Sequence, residues 1–366
     1  MTSLPKERVM VPSSAMIGPC DVGELMEQEH GFAAIRALIE DAESIALCAH
    51  TSPDGDALGS VLAMAQIVRS CWPRKQLVCL LADAAPVPRI YQFLEGSAEM
   101  MPASEYAGSP DLFMALDLSS MNRLHDAAEV LLRARKVAVI DHHPDGDIEP
   151  DAQVIRPGAA AAGVIVAEFA LYLGLDIEAP MAQCLLCAIM TDTGRFQYQN
   201  ADGESFKVAS LLVDCGAQPS EVSLNVYQSF RVESLHLKSI VLGRIRTFEQ
   251  GRIAYSYATQ NDLDRTGADL DECDGLIDVV RSVEGSEVAL FLKAVANGKV
   301  RGNIRSKGAH DVSCVARMMG GGGHRAAAGF TYVGDIDEAL ASVLPSLRSL
   351  VNGRDIASHN DLGGLR

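Results

Sequence analysis

From Phe32 onward, short apolar runs of strand type alternate with longer stretches of helical periodicity. The runs are Ser44 to Ala49, Gln76 to Ala82, Asp111 to Leu116 and Lys136 to Ile140, and stretches such as Ala57 to Ser70 separate them. This order predicts βαβ units and a mostly parallel sheet, because parallel neighbours need a crossover long enough to hold a helix. Gly158 to Gly174, Pro180 to Met190 and Ser205 to Cys215 read as helices that close the first domain. The first 30 residues lack steady periodicity and read as an irregular extension.

The pattern changes after Gly216 to Pro219, where a boundary is expected. Asn225 to Arg246 reads as a connecting helix. Glu287 to Ala296 and Lys299 to Ser306 flank Asn297-Gly298, a pair that supplies the two positive φ angles of a type I′ hairpin turn. A helix over Asp311 to Met319 runs into Gly320, Gly321, Gly322 and Gly323, and Asp337 to Leu350 reads as a last helix. The expected fold is therefore α/β. A parallel-sheet domain spans 31–218, a helical linker 219–246 and a smaller α+β domain 247–350, with an extension over 1–30 and a tail over 351–366.

Composition narrows the function classes. With 366 residues, 48% hydrophobic and 22% charged, the chain is long enough for about two domains with cores of their own. No apolar stretch approaches the roughly 18 residues needed to span a bilayer, and Pro12, Ser13, Ser14 and Pro19 interrupt any apolar leader. A cytoplasmic protein with no membrane partner is expected. The nine cysteines are scattered, several within apolar runs, so a disulfide framework is not expected. Cys184-x-x-Cys187 lies in an apolar helical run without a second such pair and reads as core packing. A net charge of -17 argues against coating long nucleic acid, whose affinity comes from many cation-phosphate contacts. Yet Lys293, Lys299, Arg301, Arg305, Lys307, Arg317 and Arg325 face only Asp311 in their segment, a basic island in an acidic chain.

Acidic and imidazole residues collect just after the predicted strands. His50, Asp54 and Asp56 follow the first run, Asp117 ends the third, and Asp141, His142 and His143 end the fourth. The helical run up to Met190 delivers Thr191-Asp192-Thr193-Gly194. In an open α/β sheet the ligand crevice lies at the carboxyl ends of the strands, so these four segments can converge. Carboxylates gathered without a nearby cation repel one another unless metal neutralises them. Asp with a minority of His suits Mn²⁺, Mg²⁺ or Fe²⁺, and two such ions form a clamp for in-line attack at phosphorus.

His50-x-x-x-Asp54-x-Asp56, Asp117, Asp141-His142-His143 and Asp192 resemble the four motifs of the DHH phosphoesterase superfamily. Arg305-Ser306-Lys307-Gly308 followed by Gly320-Gly321-Gly322-Gly323-His324-Arg325 resembles its DHHA1 substrate-binding domain. Within the superfamily the chain is most similar to the stand-alone NrnA-like group of bifunctional oligoribonucleases and 3′-phosphoadenosine 5′-phosphate phosphatases. The resemblance implies an N-terminal DHH domain, a helical linker and a DHHA1 domain. It implies one metal on His50, Asp54 and Asp117 and a second on Asp56, Asp117, His142 and Asp192, with Asp117 bridging and Mn²⁺ the expected ion. His143 would face the scissile phosphate, and Asp141 would orient the imidazole of His142.

The basic island then reads as a cradle for a terminal phosphate or a short oligonucleotide. Arg305 and Ser306 would contact it, Gly321, Gly322 and Gly323 would offer backbone N–H groups as an anion nest, and His324 would bond a base or phosphate. Arg123, shortly after Asp117, could contact substrate but reads better as a surface arginine. The expected partner is short RNA or a nucleotide, not long nucleic acid, and a second copy of the chain is an open expectation. Linear or cyclic dinucleotide hydrolysis is an alternative, as is a non-catalytic nucleotide-binding module on the same scaffold. A pyrophosphatase would share the catalytic motifs but not the glycine-rich segment.

Overall fold

A computed structural model describes residues 22–144, 146–273, 275–323 and 325–353. The chain divides into two compact units at Ser229 and Phe230, inside the segment expected to link the domains. In the first unit the order is α1 (Val22–Asp41), β1 (Ser44–Cys48), α2 (Gly55–Cys71), β2 (Gln76–Leu81), β3 (Met101–Pro102), β4 (Leu112–Leu116) and α3 (Ala127–Arg133). It continues with β5 (Lys136–Asp141), β6 (Ala152–Ile155), α4 (Ala162–Tyr172), α5 (Ala179–Asp192), α6 (Gly203–Asp214) and α7 (Pro219–Val222). Residues 22–30, read as irregular, are helical: they extend α1, whose Phe32, Ile35 and Ile39 bury against the core. The rest of the extension, 1–21, lies outside the described residues.

All six strands pair in parallel in the order β3-β2-β1-β4-β5-β6. The chain winds one way from β1 to β3 and the other way from β4 to β6, so the reversal falls between β1 and β4. Both faces of the sheet are covered, which is why its strands read as unbroken apolar runs rather than alternating ones. On one face α2, α4 and α5 pack unusually close. A Cβ on Gly59 would stand 2.4 Å from the carbonyl oxygen of Cys184, and one on Gly163 would stand 2.5 Å from the Cβ of Ala188. Cys184 and Cys187 are free and buried in this layer.

The segment 219–246 is not one helix. After α7 a π-helical turn spans Ser223–Tyr227, and the extended Arg231 precedes α8 (Val232–Gly243), whose Leu237 and Val241 bury in the core of the second unit. That unit continues with β7 (Arg246–Phe248), β8 (Ile253–Ala258), α9 (Gln260–Thr266), α10 (Leu276–Arg281), β9 (Val288–Val295) and β10 (Lys299–Ser306). It ends with α11 (Ser313–Met318), β11 (Gly322–Gly323), β12 (Ala327–Val333) and α12 (Ile336–Val351). Its sheet order is β11-β12-β10-β9-β8-β7, antiparallel except for the β8-β9 pair. The expected β9-β10 hairpin is present, and Asn297 and Gly298 both have φ of 64°. Val295 pairs with Lys299, so the connection holds Ala296 as well, one residue more than a two-residue turn. Among the described residues no helix is long and apolar enough to cross a membrane.

Candidate active site

The reversal of strand order opens the sheet between β1 and β4, where the loops after the two strands part and leave a crevice. His50 lies just past β1, Asp117 directly follows β4, and Asp141 is the last residue of β5. The loop after β1 leads into α2, and the carboxylate of Asp54 caps that helix by accepting from the backbone N–H groups of Asp56 at 3.0 Å and Ala57 at 3.1 Å. Asp56 makes different contacts. It lies buried in the first turn, and accepts from the backbone N–H groups of Ala162 at 2.7 Å and Gly163 at 2.9 Å at the start of α4. A Cβ on Gly163 would stand 3.4 Å from Asp56 Oδ1, so the start of α4 lies in contact with this carboxylate.

Asp117 has a left-handed backbone, φ 54°, and its N–H donates to the carbonyl of Ile140 at 2.9 Å. This conformation is costly for most residues and tolerable for Asp. It swings the carboxylate between two imidazoles. Oδ2 lies 3.3 Å from His50 Nε2, and Oδ1 lies 3.3 Å from His142 Nε2 and 3.5 Å from His143 Nδ1. His50 Nε2 also lies 3.9 Å from Asp54 Oδ1, while His142 Nε2 lies 3.7 Å from Asp56 Oδ2 and 4.0 Å from Asp192 Oδ2. Two three-residue groups thus have ligand atoms within 4.8 Å of one another, His50-Asp54-Asp117 and Asp56-His142-Asp192, and Asp117 also groups with His142 and His143.

Several carboxylates share this small volume, and the charges show the strain. Burial raises the carboxyl of Asp56 well above its ordinary value, and the Asp117 carboxylate beside it adds to the rise. Asp192 is pushed up to about 6, first by burial and then by Asp54 and Asp117 against the opposing pull of His142. For His142, burial favours the neutral ring, but the Asp117 oxygen in front of it and the charges of Asp192, Asp117 and Asp56 outweigh burial and raise the ring to about 11. Asp117 is held well below the usual range despite its burial, because the His142 and His50 rings approach its two oxygens. Carboxylates crowded in this way repel one another unless cations neutralise them. Buried Asp117 Oδ1 accepts no hydrogen bond of good geometry among the described residues, so one strong acceptor is left over. An all-oxygen and imidazole donor set with such an acceptor fits hard divalent metal.

The expectation that Asp141 orients His142 is corrected. Asp141 Oδ1 accepts from the backbone N–H groups of His142 at 2.7 Å and His143 at 3.1 Å, and it contacts His143 Nδ1 at 2.7 Å. The ring it holds is that of His143, because a carboxylate at the strand end reaches the residue two further on. His142 is steered instead by the carbonyl of Ala159, 3.1 Å from its Nδ1. Arg123 is no remote surface residue, since its Nη1 lies 3.4 Å from His143 Nε2 and its carbonyl accepts from the N–H of Thr51 at 2.9 Å.

Two supporting residues escaped the sequence reading. Asp83, two residues past β2, accepts from the backbone N–H of Ser52 at 3.1 Å and from the hydroxyl of Thr51, bracing the His50 loop. Its position at a strand end was a usable signal. Asn200 donates to Asp192 Oδ2 at 3.0 Å and to the carbonyl of Ala160 at 3.0 Å, and nothing local in the sequence marks it.

In the second unit, Arg305 lies on β10 with its Nη1 donating to the carbonyl of Ile304 at 3.2 Å. The Ser306 hydroxyl points inward instead: it is buried and accepts from the N–H groups of Gly308 at 3.1 Å and His310 at 3.3 Å, so it holds the following loop. The glycines do not form the expected open nest. The N–H of Gly320 donates to Arg317 and that of Gly321 to Ala316, closing the end of α11, and Gly322 and Gly323 pair with Gly329 and Ala328 of β12. Glycine is required there for close approach, since a Cβ on Gly321 would stand 2.0 Å from the carbonyl oxygen of Gly329. His324 lies outside the described residues.

A doubly covered parallel sheet with an Asp and His cluster at the carboxyl ends of its strands, followed by a second α+β unit, defines a phosphoester hydrolase. The chain belongs to the DHH/DHHA1 family: the DHH family N-terminal domain matches residues 44–189, and the DHHA1 domain matches residues 250–351. It is 30% identical over 306 residues to a bifunctional oligoribonuclease and PAP phosphatase NrnA of Thermus thermophilus, covering 83% of this chain and 89% of that one. The protein of the same name in Bacillus subtilis is 26% identical, with 78% and 88% covered. An exopolyphosphatase-related protein from Bacteroides fragilis has the same fold, with a TM-score of 0.80 at 21% identity over 88% of this chain and 96% of that one.

Proposed function

We propose that the protein hydrolyses short oligoribonucleotides and 3′-phosphoadenosine 5′-phosphate with two divalent cations, Mn²⁺ foremost. The observation that carries the two-cation reading is Asp117, whose carboxylate oxygens face two separate ligand groups. His50, Asp54 and Asp117 would hold one ion, and Asp56, Asp117, His142 and Asp192 the other. Bound there, the ions would lower the pKa of a water and polarise the phosphoryl group. The oligoribonuclease and PAP phosphatase activity of the NrnA relatives supports the substrate class.

The chain's own residues have separable tasks. An ionised Asp141 favours the proton on Nδ1 of His143, which fixes the ring and turns Nε2 towards Arg123. With the ring proton on Nδ1, His143 Nε2 is the acceptor that positions Arg123, and a phosphate oxygen beside that guanidinium would meet a charge-assisted donor as negative charge develops. Asn200 and the start of α4 keep Asp192 and Asp56 from shifting when cations come and go. Arg305 would grip a phosphate of the substrate. The net charge of -17 disfavours a long polyanion while leaving room for a short one.

The test is metal-dependent hydrolysis of a matched panel: a 5′-phosphorylated dinucleotide, a pentanucleotide RNA, a long single strand, 3′-phosphoadenosine 5′-phosphate, a cyclic dinucleotide and pyrophosphate. Turnover of the short RNAs and the mononucleotide is expected, with the long strand slow at physiological salt. Turnover confined to the cyclic dinucleotide or to pyrophosphate would overturn the substrate assignment.

A further inference from the structure

The two faces of the second sheet are covered unequally. On one, Val288, Leu290, Leu292, Val300, Ile304, Ala328 and Phe330 bury beneath α11 and α12. On the other, Ala254, Ala258, Ala289 and Phe291 bury beneath α8, α9 and α10; α10 also reaches β10, where Asn303 and Arg305 are half-buried and Lys299 and Arg301 are exposed. Residues of β10 alternate accordingly: Val300, Gly302, Ile304 and Ser306 are buried, whereas Lys299, Arg301, Asn303 and Arg305 stand on the other side. Their direct partners on β12 are small along most of the strip, with Ala327 opposite Arg305, Gly329 opposite Asn303 and Thr331 opposite Arg301. The result is a low floor beside a row of polar side chains.

We propose that Arg301 and Asn303 extend the contact made by Arg305 into a strip for the backbone of an oligonucleotide, a proposal that rests on the reading of Arg305 as a phosphate contact. Arg301 then takes a phosphate further along the chain than the one at Arg305. Alternate residues of a strand are roughly 6.7 Å apart, so Arg301 and Arg305 present cations about 13 Å apart, a span that fits an extended single strand and exceeds a mononucleotide. Arg301 is exposed and, among the described residues, its side chain makes no hydrogen bond or ion pair, so its guanidinium is available to an anion. Lys299 stands two residues further along the same row, so the row of cations ends with the strand. The strip therefore favours a few nucleotides over both a mononucleotide and a long strand.

The test compares wild type with Arg301→Ala, an exposed change that leaves the strand pairing intact, and with Arg301→Lys. For each, kcat/KM is measured on the pentanucleotide RNA and on 3′-phosphoadenosine 5′-phosphate. The ratio of the two is expected to fall roughly tenfold in Arg301→Ala, through KM of the RNA, and to recover in part in Arg301→Lys. An unchanged ratio would overturn the proposal. If wild type hydrolyses no RNA, the proposed function fails by itself, and the strip is judged by binding of a labelled pentanucleotide. There Arg301→Ala should weaken binding and lower the salt slope by about one phosphate contact, and equal binding would overturn it.

Discussion

In the parallel sheet of the first unit the clustered Asp and His side chains stand at the carboxyl ends of the strands, whereas in the mixed sheet of the second unit the proposed phosphate contacts are spaced along β10 itself. The end positions join loops, where the backbone can take conformations a strand forbids, as Asp117 does at φ 54°. Side chains from β1, β4, β5 and two helices can therefore aim at one buried point. Mid-strand positions have no such freedom. Arg305, Asn303 and Arg301 are held at the fixed pitch of a strand on its less covered face. A buried convergence of carboxylates suits compact cations, and an exposed linear row of polar and cationic groups suits a short polyanion.

The largest effect that separates the two regions is expected at Asp117. Asp117→Asn keeps a side chain that tolerates the left-handed backbone but removes the shared charge, and it should lower kcat on every substrate by about a thousandfold. Retention of more than a tenth of the activity would break the convergence argument. In the second unit the matching structural test is Gly321→Ala, whose new methyl would collide with the backbone oxygen of Gly329. A loss of ~1–3 kcal/mol is expected in denaturant titrations, against little change for Gly322→Ala, where no atom lies within 4 Å of the place the methyl would take.

Metal uptake should follow pH with a sign set by the cluster. The metal-free His142 ring keeps its proton up to about pH 11, so a cation must displace that proton at neutral pH and binds more tightly as pH rises. Below about pH 6, Asp192 is protonated too, and the slope of log affinity against pH should steepen there. Calorimetric titration with Mn²⁺ at a series of pH values on either side of that point checks the sign, and a flat profile would refute it. Arg305→Ala should act differently from the cluster variants, raising KM roughly tenfold with kcat nearly intact. A fall in kcat at constant KM would contradict a binding role.

The smallest effect is a stability one. Hydrogen bonds from Arg252 and His310 hold Glu287 down at about 2, below its ordinary 4.5. Its contribution is thus complete above about pH 4.5 and lost as pH falls through about 2. Because Glu287 is partly exposed, the difference between wild type and Glu287→Gln should be modest, and it should shrink in acid. A difference that grows in acid would reverse the assignment.

Much of this was legible from local pattern. The order of strand and helix, the α/β class and the placing of His50, Asp117, Asp141 and Asp192 at element ends follow from periodicity and from where polar residues interrupt apolar runs. Other readings failed for reasons of reach. The carboxylate of Asp141 serves His143 rather than His142, because a hydrogen bond depends on side-chain direction at a strand end and not on sequence adjacency. The glycines after α11 serve strand pairing, a contact with Gly329 and Ala328 that no local signal records. Ser306 turns inward because β10 alternates, while Arg301 and Asn303 share the outer face with Arg305 for the same reason.

The elements, their order and the chemistry available at their ends were written in the chain's own pattern, since periodicity, turn residues and ligand type are local properties. Which carboxylate meets which imidazole, how Asp56 is buried against α4, and which face of β10 is less covered were settled by the folded arrangement alone. Those outcomes depend on contacts between residues distant in the chain, and the small residues that permit them, Gly59, Gly163 and Gly321, carry no chemistry that would announce the partner they approach.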